Sequence, residues 1–358
     1  MNRVGESPNL DLLRATAVLF VVVFHILLFF QKTTPGPFNL HSMGHWGVLL
    51  FFVHTSMVLM LSLERQGCRN GLIGLFVGFY VRRCFRVLPL SMLIVLVVYF
   101  FQLPMGSLKG GIFHVLHLNH FDLLSNLLLV QNLTHSDSIL APLWSLPYEM
   151  QMYFVLPVLF LVAQARRSVL PVLGIWGISV AMALGSQRIY RYHLSDLLVY
   201  VPCFVAGIVA YKLVESHTGN WPFIGYPITM AAVTTFFLRG PSPERGWICC
   251  LLMGLVLSEF REMPDNWLRK LCHQVARYSY GIYLTHFICI WLAFVALARL
   301  PVVMQWAALL LMLLAFPILL YHTIEAPMIG LGRRLVSLWA QRQSPPVASD
   351  STVLRHPI

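Results

Sequence analysis

The 358-residue sequence predicts an all-α fold, a polytopic membrane bundle of about ten transmembrane helices. Three observations carry that prediction. Hydrophobic residues make up 58% of the chain and charged residues 11%, against about 25% charged in an ordinary soluble domain, so lipid is the main solvent. Apolar runs of about 18 residues or more recur along the whole chain, the length that a helix rising ~1.5 Å per residue needs to cross a ~30 Å hydrocarbon core. The basic residues gather in alternate connecting loops, as they do where Lys and Arg set membrane orientation.

Hydropathy places the spans at about 10–30, 46–63, 84–103, 144–163, 168–185, 195–214, 222–238, 246–260, 275–297 and 302–323. The first, LDLLRATAVLFVVVFHILLFF, reads as a retained signal anchor: its apolar part is about 20 residues long, and no small-residue cleavage site precedes Gln31 and Lys32. Before the third span, GLIGLFVGFYVRRCFR (71–86) is expected to lie along the inner membrane surface. The outer stretch 104–143 holds DLLSNLLLV, expected to dip into the membrane without crossing it. The sequence after Trp339 is rich in Ser, Pro and Gln, which divides the chain into a membrane domain over 1–340 and a disordered cytoplasmic tail over 341–358. No repeat of 20–50 residues is evident.

The loop charges test this count. With the N-terminus inside, seven of the 25 Lys and Arg fall outside: Lys32, Lys109, Arg188, Arg191, Arg239, Arg245 and Arg299. The remaining 18 fall inside, so an even number of spans with both termini cytoplasmic is expected. The net charge of +11 is thereby explained by orientation and not by a nucleic-acid partner. Seven cysteines without a CxxC spacing argue against a disulfide framework or a zinc site.

Ionisable side chains inside a span cost several kcal/mol and are functional candidates by default. Arg14 and His25 are eleven residues apart, about three helical turns plus ~20°, so they share one helix face with an axial separation of ~16 Å. Arg14 then sits near the inner boundary, either as a headgroup anchor or as part of a site. His25 lies past the midplane, either bonded to a backbone carbonyl or chemically active. In the fourth span Ser145, Glu149 and Tyr153 recur at four-residue spacing and form a polar stripe. Glu149 enters at a depth close to that of His25, where it would raise the basicity of the imidazole and fix its tautomer, unless it serves packing alone.

The ninth span repeats the pattern with Ser279, Tyr283 and His286, which is as readily structural as functional. On the inner side Arg82, Arg83 and Arg86 are three and four residues apart, so their guanidinium groups project to adjoining positions on a helix. Such a cluster binds polyphosphate bidentately, or anchors topology on anionic lipid. Glu325 closes the last span and is placed to hold one of these arginines. His114, His117 and His120, with His41 and His45 elsewhere, lack the cysteines or carboxylates of a metal centre and read as an exposed histidine-rich surface.

From about Leu10 to Arg334 the chain resembles the acyltransferase-3 family of integral membrane O-acyltransferases. LDLLRATAVLFVVVFH is similar to the family's opening helix with its Arg-x10-His motif, here Arg14 and His25. HWGVLLFFVHTSMVL resembles the second-helix signature, with Leu49 where the family usually carries an acidic residue and with Thr55 and Ser56 for its serine-glycine pair. YVRRCFRVLPL is similar to the Arg-x-x-Arg stretch, at Arg83 and Arg86, and LWSLPYEMQMYFVLP to the segment holding Trp144, Ser145 and Glu149. YSYGIYLTHF and IEAP resemble the closing pair, at His286 and Glu325.

The resemblance implies an acyltransferase of a bacterial inner membrane with an acyl-CoA donor, acetyl-CoA in particular, used as a substrate with no bound cofactor. It also implies a hydroxyl acceptor on a surface or exported carbohydrate. On this expectation His25 and Glu149 are catalytic, His25 serving as general base or transient acyl carrier. Arg14, Arg82, Arg83 and Arg86 hold the donor, and Trp144, Ser145, Tyr153, Tyr283, His286 and Glu325 support the site. Two other classes fit a polytopic chain with charges in its spans: a transporter, and a non-catalytic scaffold of the same architecture.

Overall fold

A computed structural model describes residues 7–33, 37–67, 71–106, 113–189, 194–216 and 219–343. Its thirteen α-helices are α1 (Pro8–Phe29), α2 (Met43–Gln66), α3 (Gly71–Phe100), α4 (His120–Leu127), α5 (Gln131–Thr134), α6 (Leu146–Ala165), α7 (Leu170–Ile189), α8 (Leu194–Ser216), α9 (Gly225–Leu238), α10 (Pro243–Leu257), α11 (Trp267–Trp291), α12 (Val302–Leu320) and α13 (Ala326–Gln343). Among the described residues there are no strands beyond one isolated bridge, Trp221 to Phe260.

Among the described residues eight helical segments are long and apolar enough to cross a bilayer, against the ten or so expected. The shortfall lies in the seventh and eighth expected spans, where α9 has 14 residues and α10 has 15, about 21 and 22 Å of helix. These two helices nevertheless form a hairpin between the same two faces. At one face Asn39, just before α2, donates its N–H to the carbonyl of Leu238 at 2.9 Å. At the other, Trp221 pairs with Glu259 and Arg261, and the adjacent Glu262 caps the start of α1 through Ser7 (2.6 Å) and Asn9 (3.0 Å). A short helix is tolerated here because its neighbours are protein: Trp46 of α2 donates to Thr234 of α9 (2.9 Å), and Trp247 of α10 to the carbonyl of Val199 in α8 (2.6 Å).

The stretch 71–86 is not a separate surface segment. It is continuous with the third span in one 30-residue helix, ~45 Å long. Packing explains the difference, since α13 lies against this part of α3, with Gly332 beside Phe85 and Gly78 beside Val336. The helical run Val302–Arg342 covers 41 residues, ~60 Å, with a π-helical turn at Tyr321–Glu325. Helix α13 continues to Gln343, and the rest of the expected tail lies outside the described residues. The outer apolar piece forms α4, eight residues and ~12 Å long, too short to cross.

Helix α2 is the centre of the bundle, packed against α1 on one side and α8 on another. Glycines permit the close approach, as small residues do between helices in lipid. A Cβ on Gly47 would stand 2.6 Å from the carbonyl oxygen of Ala17 in α1, and one on Gly207 of α8 would stand 2.1 Å from that of Val53.

Candidate active site

Two cavities open along α2 and meet at a shared wall. The first, about 270 Å³, runs from Val48 to Leu59 of α2, eleven residues or ~16 Å, in the half of the bundle nearer the start of α1. Its polar lining is Arg14, His54, Thr55, Arg83, Arg86, Ser145, Glu149, Tyr153, Ser279, Tyr280 and Tyr283. The second, about 290 Å³, lies in the opposite half and is lined by Val21, Phe24, His25, His41, Ser42, Gly44, His45, Pro142 and Trp144. Val48 and Tyr283 line both.

Helix α1 delivers Arg14 to the first cavity and His25 to the second, as the eleven-residue spacing on one face requires. The first cavity is cationic at its centre. Three guanidinium groups, Arg14, Arg83 and Arg86, meet one lining carboxylate, Glu149, which accepts a short hydrogen bond from Tyr153. Behind Arg86, the buried Glu325 stands 3.7 Å away, at the end of a π-helical turn that packs against α3. Arg14 Nε and both Glu325 oxygens are buried with no hydrogen-bond partner among the described residues. A buried guanidinium N–H left without an acceptor, as in Arg14, is the kind of group that an incoming anion completes.

Two expected relations fail. Glu149 does not pair with His25. Tyr283 of α11 donates to the carbonyl of Pro142 and meets Ser145 Oγ, both at 2.6 Å, which fixes the start of α6 at the level of Tyr283. Glu149 lies one turn farther toward the N-terminal face, whereas His286 lies about one turn the other way, a separation of ~10 Å along the axis. The cause is the 3-10 turn Ala141–Ser145, which carries the chain into the bundle before α6 begins. Arg82 also leaves the cluster. Its side chain folds back over Gly78 to Gln66 at the end of α2, following the lean of long helical side chains toward the N-terminus, and does not line the cavity.

His25 instead meets His286. The Nδ1 of His25 lies 2.9 Å from the carbonyl of Val21 and 3.1 Å from Nε2 of His286. A carbonyl only accepts, so the network assigns the His25 proton to Nδ1 and leaves Nε2 as the basic nitrogen. Trp144 lines the same cavity, stacked on His45 at 5.8 Å and 8° between planes, and Tyr200, outside that lining, is 5.8 Å from Trp144. His54 was not singled out in the sequence, although it carries the same signal as His25: an ionisable group inside a span. His41 and His45, grouped above with the exposed histidines, line the second cavity. His114, His117 and His120 lie outside both cavities, and among the described residues no cluster of three or more potential metal ligands forms. Leu49 faces α10, where Gly246 and Cys250 contact it, so the carboxylate of the arginine cavity is supplied by Glu149 from α6.

This is a multi-pass membrane protein whose helical core holds a cationic cavity back to back with a histidine-lined one. The profile of the acyltransferase-3 family, described as an acyltransferase domain, matches residues 7–322. The chain belongs to that family. Among curated proteins it is similar to "Putative peptidoglycan O-acetyltransferase YrhL" of Bacillus subtilis (strain 168), 32% identical over 161 residues, covering 43% of this chain and 24% of that protein. The chain therefore spans about a quarter of the length of this relative. No solved structure matches.

Proposed function

We propose that the chain is a membrane O-acyltransferase, acting as an O-acetyltransferase, that moves an acyl group from a cytoplasmic acyl-CoA to a hydroxyl of a surface or exported carbohydrate across a bacterial inner membrane. Both termini are then cytoplasmic, in keeping with the 18 basic residues assigned to that side. The observation that carries this reading is the abutment of the two cavities at Val48 and Tyr283. A donor whose phosphate end is held by Arg14, Arg83 and Arg86 would present its thioester at that wall, with His25 on the far side. A cavity of about 270 Å³ is small beside the ~300–1,000 Å³ pockets that enclose whole drug-sized ligands. It has room for the thioester arm of the donor and leaves the nucleotide at the mouth.

In the transfer the acceptor oxygen attacks the thioester carbonyl while its proton passes to His25 Nε2. The new C–O bond forms, the C–S bond breaks, and the thiolate leaves with the proton returned by His25. Catalysis by a base in hydrogen-bond reach of a hydroxyl contributes ~10²–10⁴ in rate. The relative's printed name and the aromatic lining of the second cavity support a sugar acceptor: Trp144 offers a ring on which a pyranose stacks.

The reading is tested with protein in nanodiscs, radiolabelled acetyl-CoA and a soluble oligosaccharide such as chitotetraose. Arg83→Gln and Arg86→Gln are each expected to raise the donor KM about 10- to 100-fold with kcat little changed, since a charge-assisted hydrogen bond is worth ~1.5–3 kcal/mol. An effect confined to acceptor kinetics would reverse the assignment of the cavity. Trp144→Ala is expected to raise the oligosaccharide KM several-fold and to leave the donor KM alone; a changed donor KM would move the acceptor site elsewhere. Substrate-driven ion flux into liposomes without thioester cleavage would favour a transporter instead.

A further inference from the structure

His286 is completely buried in α11 and has so far no part in the reaction. Its Nδ1 lies 3.1 Å from the carbonyl of Ile282 and its Nε2 lies 3.1 Å from Nδ1 of His25, with the ring centroids 4.9 Å apart. These contacts fix the direction of each proton. Ile282 requires the His286 proton on Nδ1, which leaves Nε2 of His286 as a lone pair. The Nδ1–H of His25 is then shared between that lone pair and the carbonyl of Val21. The chain of donors runs from His25 to His286 to Ile282, and its basic end, His25 Nε2, is left for the second cavity.

The two acceptors of His25 do different work. Val21 lies on the same helix one turn earlier, so its carbonyl selects the tautomer but cannot tie the ring to a neighbouring helix. His286 comes from α11 and supplies that tie. Edge contacts from Phe24 at 4.8 Å and Phe287 at 5.2 Å confine the ring without offering a hydrogen-bond acceptor.

We propose that His286 is a positioning residue for acyl transfer: its Nε2 lone pair holds the Nδ1–H of His25 across the contact between α1 and α11 and so keeps His25 Nε2 aimed at the acceptor hydroxyl. The inference rests on the reading of His25 as the base. When the acceptor proton reaches His25 Nε2, the imidazolium has two acceptors for its strengthened Nδ1–H donor, the Val21 carbonyl and His286. His286 itself neither gains nor loses a proton, and the thiolate takes the proton back from His25 Nε2.

The experiment compares His286→Phe, which keeps the volume but removes the acceptor, with His286→Gln, which restores an acceptor oxygen. Thiol release from acetyl-CoA is read in the presence of chitotetraose, on protein that elutes as a single peak. His286→Phe is expected to lower kcat about 10- to 100-fold with both KM values within about twofold, and His286→Gln to recover most of it. If His286→Phe does not assemble, His286→Leu takes its place with the same expectation. Equal losses in the apolar and Gln variants, or full activity in the apolar one, overturn the proposal. His25→Ala inactive beside His286→Phe fully active removes this inference and leaves the proposed function standing. Full turnover in His25→Ala removes that reading, and this inference with it.

Discussion

Replacing His25 with alanine is expected to reduce acyl transfer by ~10²–10⁴-fold while the protein stays in the membrane at normal yield. The size of the effect follows from geometry. His25 contributes the basic nitrogen that faces the second cavity with its proton committed elsewhere, since Val21 and His286 both face Nδ1. Glu149, the other candidate base, lies on the far side of the shared wall and is bonded to Tyr153. The fold should survive because the imidazole's carbonyl bond is made within α1 and its removal enlarges a cavity of about 290 Å³ that already exists. The measurement is thiol release from acetyl-CoA, paired with size-exclusion of the detergent-extracted protein. Retained turnover refutes the catalytic assignment, and lost assembly would show that the histidine pair is a structural joint.

Gly207→Ala is expected to cause the largest structural loss. A Cβ at this position would lie 2.1 Å from the carbonyl oxygen of Val53 and 2.1 Å from Ser56 Oγ. The Ser56 hydroxyl is itself bonded to Phe52 at 2.8 Å, and a helix carbonyl cannot swing aside, so α8 must move away from α2. Overpacking of this kind costs ~1–3 kcal/mol or more, and in lipid no hydrophobic driving force compensates for separated helices. Because α2 carries Phe51, Phe52, His54, Thr55 and Val58 into the first cavity, the shift would also deform the arginine site. A melting temperature lowered by several degrees or outright loss of the monodisperse peak is expected. Gly174→Ala in α7, where nothing lies within 4 Å, is the control and should change neither. Equal behaviour of the two variants would mean that the contact between α2 and α8 is not as tight as described.

Much of the architecture was legible because membrane insertion writes itself into composition. Among the described residues eight helical segments carry the length and hydropathy of a membrane span. The failures have a common cause. Helices α9 and α10 have the apolar character of spans but not the length, since a helix surrounded by protein need not match the bilayer. Residues 71–86 contain too few apolar residues ahead of their arginines to span alone, and only the partnership of α3 with α13 shows why they continue as one helix.

Within single helices the sequence determined the site. The common face of Arg14 and His25, and the stripe of Ser145, Glu149 and Tyr153, follow from the 3.6-residue period, a regularity of the helical backbone and its own hydrogen bonds that holds before any helix meets another. What only the tertiary structure decided is the relative height of the helices. The turn at Ala141–Ser145 and the bonds from Tyr283 set the height of α6 in the bundle, which carried Glu149 to the arginines and gave His25 to His286. Periodicity fixes angles within a helix. The axial offset between two helices is set by loops and by contacts far apart in the chain, and no local pattern encodes it.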